Sequence, residues 1–174
     1  MKSEVQALID HYHLTPLPAE GTLFVSTWRS VQEYGEGKPF GTAMIGMYCD
    51  DPLSHSLFHR LPVPEAWHFY GGDPLRLILL HPGGSSQDII MGSEPLRGQH
   101  VQFIIPAGLW QAGHMLEGGR YSLFGCTLAP GFTGDMYEGG TRDLLLKLHP
   151  DRAADIQRFG CDPQETSMPS GFAK

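Results

Sequence analysis

The sequence predicts a mostly-β domain of short antiparallel strands with short helices at its two ends, and three observations carry that prediction. Gly (22) and Pro (14) together make about a fifth of the 174 residues, more punctuation than long helices tolerate. Between about Thr22 and Tyr137 the apolar residues fall in runs of about five to eight, each closed by Gly, Pro or Asp, the pattern of strands joined by turns. No long helical pattern separates those runs, so βαβ units and a parallel sheet are disfavoured and an antiparallel sandwich or barrel remains.

Taken in order, Ser3 with Gln6 three residues on makes a capping box, and Val5, Leu8, Ile9 and Tyr12 recur at helical spacing, giving one short helix over 3–12. The strand runs follow: TLFVSTWR, TAMIGMYC, AWHFY, LRLILLH, QDIIMG, HVQFIIP and YSLFGCTLAP. LRLILLH is apolar on both faces, as is HVQFII over much of its length, so these strands need cover on two sides, from a second sheet layer or from a partner subunit. Thr141 caps TRDLLLKLH, and Pro150 sets off DRAADIQRF, which stops at Gly160; the C-terminal helices thus span about 141–159. Residues 160–174 have little hydrophobic periodicity and read as a loose tail. No repeat, low-complexity tract or linker divides the chain, so residues 1–174 form a single domain with its barrel over about 14–140.

Charge and composition narrow the function. Lys plus Arg is 12 against Asp plus Glu 19, a net charge of −7, which repels phosphate backbones and argues against nucleic-acid binding. No apolar stretch is long enough to span a membrane, and MKSEVQALID lacks the apolar run of a signal peptide. Cys49, Cys126 and Cys161 form no CxxC pair and leave one cysteine over in any disulfide scheme, so a reduced, cytoplasmic protein is expected. There is no GxGxxG, GxxxxGK[ST] or GxSxG motif.

The candidate chemistry gathers in SHSLFHRLPVPEAWHFYGG, where His55, His59 and His68 meet Glu65, the raw material of a divalent-metal site or an acid/base pair. In a strand beginning at Glu65, that residue shares a face with Trp67 and Phe69, while Ala66, His68 and Tyr70 share the other. An inward Glu65 between Trp67 and Phe69 is partly desolvated, which raises its pKa and suits it to proton transfer. The alternative is a surface glutamate salt-bridged to Arg60, and for His68 a hydrogen-bonded place on a packed outer face. Pro62 and Pro64 separate His59 from the strand, so parity does not say which way it faces. A second segment, GQHVQFIIPAGLWQAG, reads as strand, Pro-Ala-Gly turn, strand, with Leu109 and Gln111 on one face and Trp110 and Ala112 on the other.

Together these segments resemble the two motifs of the cupin superfamily. Glu65 followed by Gly72 fits the end of G-x5-H-x-H-x3-4-E-x6-G, with His59 as its second histidine one residue too far away and Leu57 in place of the first. Pro106, Gly108 and Gln111 fall on the Pro, Gly and His of G-x5-P-x-G-x2-H-x3-N, with Met115 in the Asn position. More closely, PAEGTLFVSTWRS, SLFHRL, EAWHFYGGDPLRLILL, PAGLWQA and YSLFGCTLAPGF, in that order, resemble a family of single-domain cupins filed as a domain of unknown function. The resemblance covers about Leu14 to Pro150. It implies an antiparallel double-stranded β-helix, the cupin jelly-roll barrel, in an architecture similar to ketosugar epimerases and seed-storage cupins. It also implies a homodimer with strands exchanged, and it leaves the reaction open.

Cupin metal centres use three histidines and a carboxylate, of which this sequence keeps His59 and Glu65, and Gln111 offers only a neutral amide oxygen. The expectation is therefore no cofactor. A divalent metal on His59 and Glu65, helped by His55 or another histidine, is the alternative. The leading function is an epimerase or isomerase acting on a sugar or nucleotide-sugar type ligand by metal-free proton transfer. His59 or Glu65 would be the base, Tyr48 or Tyr121 the acid, Gln111 the partner of the carbonyl oxygen and Arg29 the partner of an anionic group. A second reading is a binding module whose aromatic walls include Trp28, Trp67 and Phe69, with Trp110 facing away; a third is a barrel filled by its own side chains. The partners expected are a small-molecule ligand and a second copy of the chain.

Overall fold

The computed structural model describes residues 3–173. Helix α1 (Glu4–Tyr12) starts where Ser3 Oγ accepts from the Gln6 amide, and ends at His13 in the left-handed region. The Gln6 side chain reaches forward to Asp10, so only half of the capping box forms. The strands follow as β1 (Thr15–Pro16), β2 (Leu23–Arg29), β3 (Glu33–Gly35), β4 (Lys38–Pro39), β5 (Thr42–Asp50), β6 (Leu53–Ser54) and β7 (Ser56–Arg60). After them come β8 (Glu65–Gly72), β9 (Leu75–Leu80), β10 (Ser86–Met91), β11 (Gln102–Ile105), β12 (Trp110–Met115), β13 (Tyr121–Leu128) and β14 (Glu138–Gly139). Two short helices close the chain, α2 (Arg142–Leu148), capped by Thr141, and α3 (Ala153–Phe159).

A seven-stranded sheet in the order β1-β2-β5-β13-β8-β11, with β6 beside β5, faces a five-stranded sheet in the order β10-β9-β12-β7-β14, and β3 and β4 form a separate ribbon. Pairing within the sheets is antiparallel. Leu75, Leu77 and Leu79 of β9 meet Trp67, Phe124, Ile105 and Tyr48 of the opposite sheet in the main core. The other face of β9, Ile78 and Leu80, lies with Phe58 and Trp110 under Leu145, Ile156 and Phe159 of the C-terminal helices. The two-sided apolar pattern of LRLILLH is thus satisfied by one sheet and by α2 and α3, and its second face needs no further sheet or subunit.

The outer face of the larger sheet is covered over part of its area only. Val5, Leu8, Ile9 and Tyr12 of α1 pack there on Leu23, Met47, Cys49, Tyr121 and Leu123. Beyond α1 the same face leaves Trp28, Tyr70 and Ile104 about half exposed. The tail is not loose: Cys161 bridges Thr141, and Met168 and Phe172 pack with Leu17, Phe24, Phe132 and Tyr137.

Candidate functional site

A cavity of about 290 Å³ opens where Arg29, Thr42, His59, Glu65 and Leu128, at the ends of β2, β5, β7, β8 and β13, come together. Its walls are largely apolar, with Leu17, Phe24, Met44, Leu61 and Phe132 among them, and Phe172 and Ala173 of the tail complete it. Into this apolar space project Glu20, His59 and Glu65, each buried.

His59 is held on β7, a strand that the proline-bounded spacing concealed. Its Nδ1 lies 2.8 Å from the Leu57 carbonyl; a carbonyl only accepts, so Nδ1 carries a proton and Nε2 holds the lone pair of the neutral ring. That Nε2 stands 3.8 Å from Glu20 Oε2, and the ring stacks on Tyr137 at 5.2 Å. Glu20 belongs to the turn between β1 and β2, where Gly21 N bonds back to Leu17 O and Ala19 adopts a φ of 61°. The Glu20 carbonyl accepts from Leu57 N at 3.1 Å, docking the turn against β7, and Glu20 Oε1 accepts from the Thr22 hydroxyl.

Glu65 opens β8 and points inward with Trp67, as alternation requires. Its Oε2 accepts from Gln111 Nε2 at 2.9 Å and from Trp67 Nε1 at 3.1 Å. Burial holds the Glu65 carboxyl above the ordinary carboxylate range, against the opposing pull of His59 and of those two donors. Cys126, also on the cavity wall, is pushed well above the usual thiol range by burial and by Glu65 and Glu20, so it stays a thiol.

Several expected residues lie elsewhere. Tyr121 faces α1 on the outer side of the sheet, its hydroxyl donating to Glu4 at 3.2 Å, and is no lumen acid. Tyr48 is inward but sealed in the core against Phe124 and Trp67, its hydroxyl bonded to Ser56 and its pKa driven well up by burial; it does not line the cavity. A bulge between Ser26 and Trp28 reverses the parity of β2: Ser26 and Arg29 line the cavity, whereas Trp28 turns outward. Trp67 and Phe69 pack in the core behind Glu65 rather than on the cavity wall. Gln111 commits an amide N–H to Glu65, and its Oε1 is buried without a partner. Arg29 is taken up by carbonyls, NH1 donating to Phe132 and Ala173 and NH2 to Gly37.

The outward His68 follows the alternation, whereas the surface pair of Glu65 with Arg60 does not form. His68 is on the outer face beside Gln102 and Thr127, and Arg60 pairs with Glu138 rather than with Glu65. No motif in the sequence singles out Glu20. The only signal was the acid of PAEG, embedded in a segment that marks the family.

A cupin metal centre does not fit these donors. His55, the histidine available for recruitment, packs on Phe159 outside the smaller sheet. Gln111 points a hydrogen-bond donor at the carboxylate where a third ligand would have to accept a cation. Among the described residues no group of three or more His, Cys, Asp or Glu is placed to hold a metal ion.

The facing antiparallel sheets, with polar groups gathered in an apolar cavity at the strand ends, define a cupin-type jelly roll. The chain belongs to the family described as Cupin superfamily (DUF985), whose family model matches residues 6–139. It is similar to a crystal structure of a protein from Shewanella oneidensis, at 27% identity and a TM-score of 0.81 over 92% of this chain and 98% of that one. A hypothetical protein from Leishmania major gives 24% identity and a TM-score of 0.82, over 92% and 100% respectively. A cupin 2 domain-containing protein from Halorhodospira halophila shares the fold at 10% identity and a TM-score of 0.50, over 79% and 81%. No curated protein matches the chain. Among the described residues no helix is long and apolar enough to cross a membrane.

Proposed function

We propose that the chain is a metal-independent isomerase or epimerase that moves a proton next to the carbonyl of a small molecule. The observation that carries this reading is the convergence of Glu20, His59 and Glu65 on one apolar cavity. His59 Nε2, free because Nδ1–H is bound to Leu57, takes the α-proton, and the C–H electron pair moves into a C=C bond. The carbonyl oxygen takes its proton from Glu65, which burial favours as the neutral acid. The imidazolium so formed faces the Glu20 carboxylate. The imidazolium then gives its proton to the neighbouring carbon of the enediol, or back to the same carbon, as a hydroxyl proton returns to Glu65, which restores both groups; the first outcome isomerises the substrate and the second exchanges its α-hydrogen. A cavity of about 290 Å³ is at the lower end of ligand pockets, which favours a compact substrate over a nucleotide sugar. The test is exchange of α-hydrogen for deuterium in D2O, with metal analysis of the same sample before and after chelator.

The same reading includes a homodimer through the uncovered face of the larger sheet. Trp28, Ala43, Thr127, Ala66 and Ile104 lie in register across five strands and carry no charge, so a second copy of a chain of net charge −7 meets no repulsion from this row. Ile104→Lys is expected to convert the dimer to monomer in native mass spectrometry, and a wild-type monomer would refute this arrangement.

A further inference from the structure

The electrostatics of the cavity go beyond the reaction type to the class of compound it holds. Cys126 and Tyr137 on the wall are kept neutral by burial, which leaves Glu20, His59 and Glu65 as the ionisable groups that set the charge in its depth; that charge is negative or zero across their protonation states, except where both carboxyls are neutral and His59 is protonated. Among the described residues Arg29 is the one Lys or Arg on the wall, and its NH1 and NH2 donate to the carbonyls of Phe132, Ala173 and Gly37. A phosphate or carboxylate reaching the depth of the cavity would meet the carboxyls of Glu20 and Glu65 in an apolar setting, where like charge is costly.

The spacing of the acceptors is equally specific. With Nδ1–H turned to Leu57, the neutral His59 ring offers a lone pair at Nε2, and Glu20 Oε2 offers another acceptor 3.8 Å away. That distance is too long for a hydrogen bond between them. A donor on the ligand is accommodated at Oε2 while the adjacent carbon presents its hydrogen to Nε2.

We infer that the cavity takes a compact, mostly hydrocarbon carbonyl compound bearing an amine on the carbon next to the carbonyl, the amine held by Glu20 and the carbonyl not a free carboxylate. This rests on the proton-transfer reading for the role of His59, but the charge and donor argument is independent of turnover. A protonated amine also makes the neighbouring C–H more acidic, which suits a buried imidazole base. The apolar walls, Leu17, Phe24, Met44, Leu61 and Phe132, receive the hydrocarbon part.

Three probes of similar size separate the possibilities by titration calorimetry on the full chain: phenylalaninamide, hydrocinnamamide, which lacks the amine, and hydrocinnamate, an anion. Phenylalaninamide is expected to bind about tenfold more tightly than hydrocinnamamide, the scale of a charge-assisted hydrogen bond, and hydrocinnamate to bind least. Glu20→Gln is expected to erase the advantage of the amine while hydrocinnamamide still binds, which shows that the cavity is intact. Preference for hydrocinnamate, or an amine advantage that survives Glu20→Gln, overturns the inference. If that variant fails to fold, the ranking of the three probes on wild type alone decides. Amine-selective binding without α-hydrogen exchange supports the ligand class while refuting the reaction. Exchange of a neutral ketone with no amine preference does the reverse.

Discussion

Glu20 Oε2 faces His59 Nε2 across 3.8 Å, although one residue comes from a turn between two strands of the larger sheet and the other from a strand of the smaller one. The backbone makes that meeting reproducible, because Leu57 N donates to the Glu20 carbonyl and the Leu57 carbonyl accepts His59 Nδ1–H. Leu57 thus orients both members of the pair, the turn and the imidazole.

Glu20→Gln keeps the shape of this pair and removes its charge. The α-exchange rate is expected to fall by about 10²-fold, within the range of acid/base contributions, while affinity for a neutral probe such as hydrocinnamamide stays as in wild type. Parallel loss of rate and of neutral-probe affinity would make Glu20 a structural residue instead.

Glu65→Gln is expected to fold, since the amide oxygen can still accept from Trp67 and Gln111. Burial raises the Glu65 pKa in the folded chain, so the stability this group contributes is complete below its unfolded pKa and is lost as pH rises through the folded one. The variant should therefore be at least as stable as wild type in mildly alkaline buffer, by thermal denaturation. In kinetics the wild-type rate should decline as pH rises through the Glu65 pKa, and the variant should lack that limb.

His55 and His114 flank Phe159 beneath α3, and burial, with Arg158 nearby, lowers both pKa values from the ordinary 6.5. For a base whose folded pKa is depressed, stability is complete above the unfolded value and is lost as pH falls below it, because the unfolded chain takes up the protons first. His114→Phe retains an aromatic ring on Phe159 and removes one of these protons. Its stability is expected to fall less steeply with acid than that of wild type in pH-dependent urea denaturation, and an identical acid limb would count against the assignment.

Arg29 ties the tail to the cavity rim through the Ala173 carbonyl, and Phe172 packs near Phe24. Arg29→Met is expected to raise amide hydrogen exchange over residues 168–173 while leaving β9 and β13 protected. Equal exchange in both chains would show that the tail is held by Phe172 and Met168 alone.

Alternation within strands made much of the fold legible. That Glu65 and Trp67 share one face and His68 the other follows from a period of two, and the helix boundaries follow from Ser3, Thr141 and Gly160. Trp28 went astray because one extra residue in β2 reverses every side chain after it, and a bulge leaves no mark in a hydrophobic pattern. Tyr121 was misplaced because a phenol beside an apolar strand packs equally well under α1 or in the lumen, and only the register with Cys49 decides. The site itself was half legible. His59 and Glu65 stood out as a cluster, whereas Glu20 is a lone acid in a turn, and its partner lies far along the chain. The tail looked loose because Met168 and Phe172 are too sparse to make a period, yet each fills a gap among Leu17, Phe132 and Tyr137.

The central claim is that His59 and Glu65 move a proton without a metal, and α-hydrogen exchange followed by NMR in D2O with chelator present tests it most directly, using benzylacetone and phenylalaninamide. Exchange above the buffer rate for at least one of them, reduced about 10²–10⁴-fold by His59→Asn and by Glu65→Gln in folded variants, is the expected result. Exchange no faster than buffer, abolished by the chelator, or undiminished by both substitutions would contradict it.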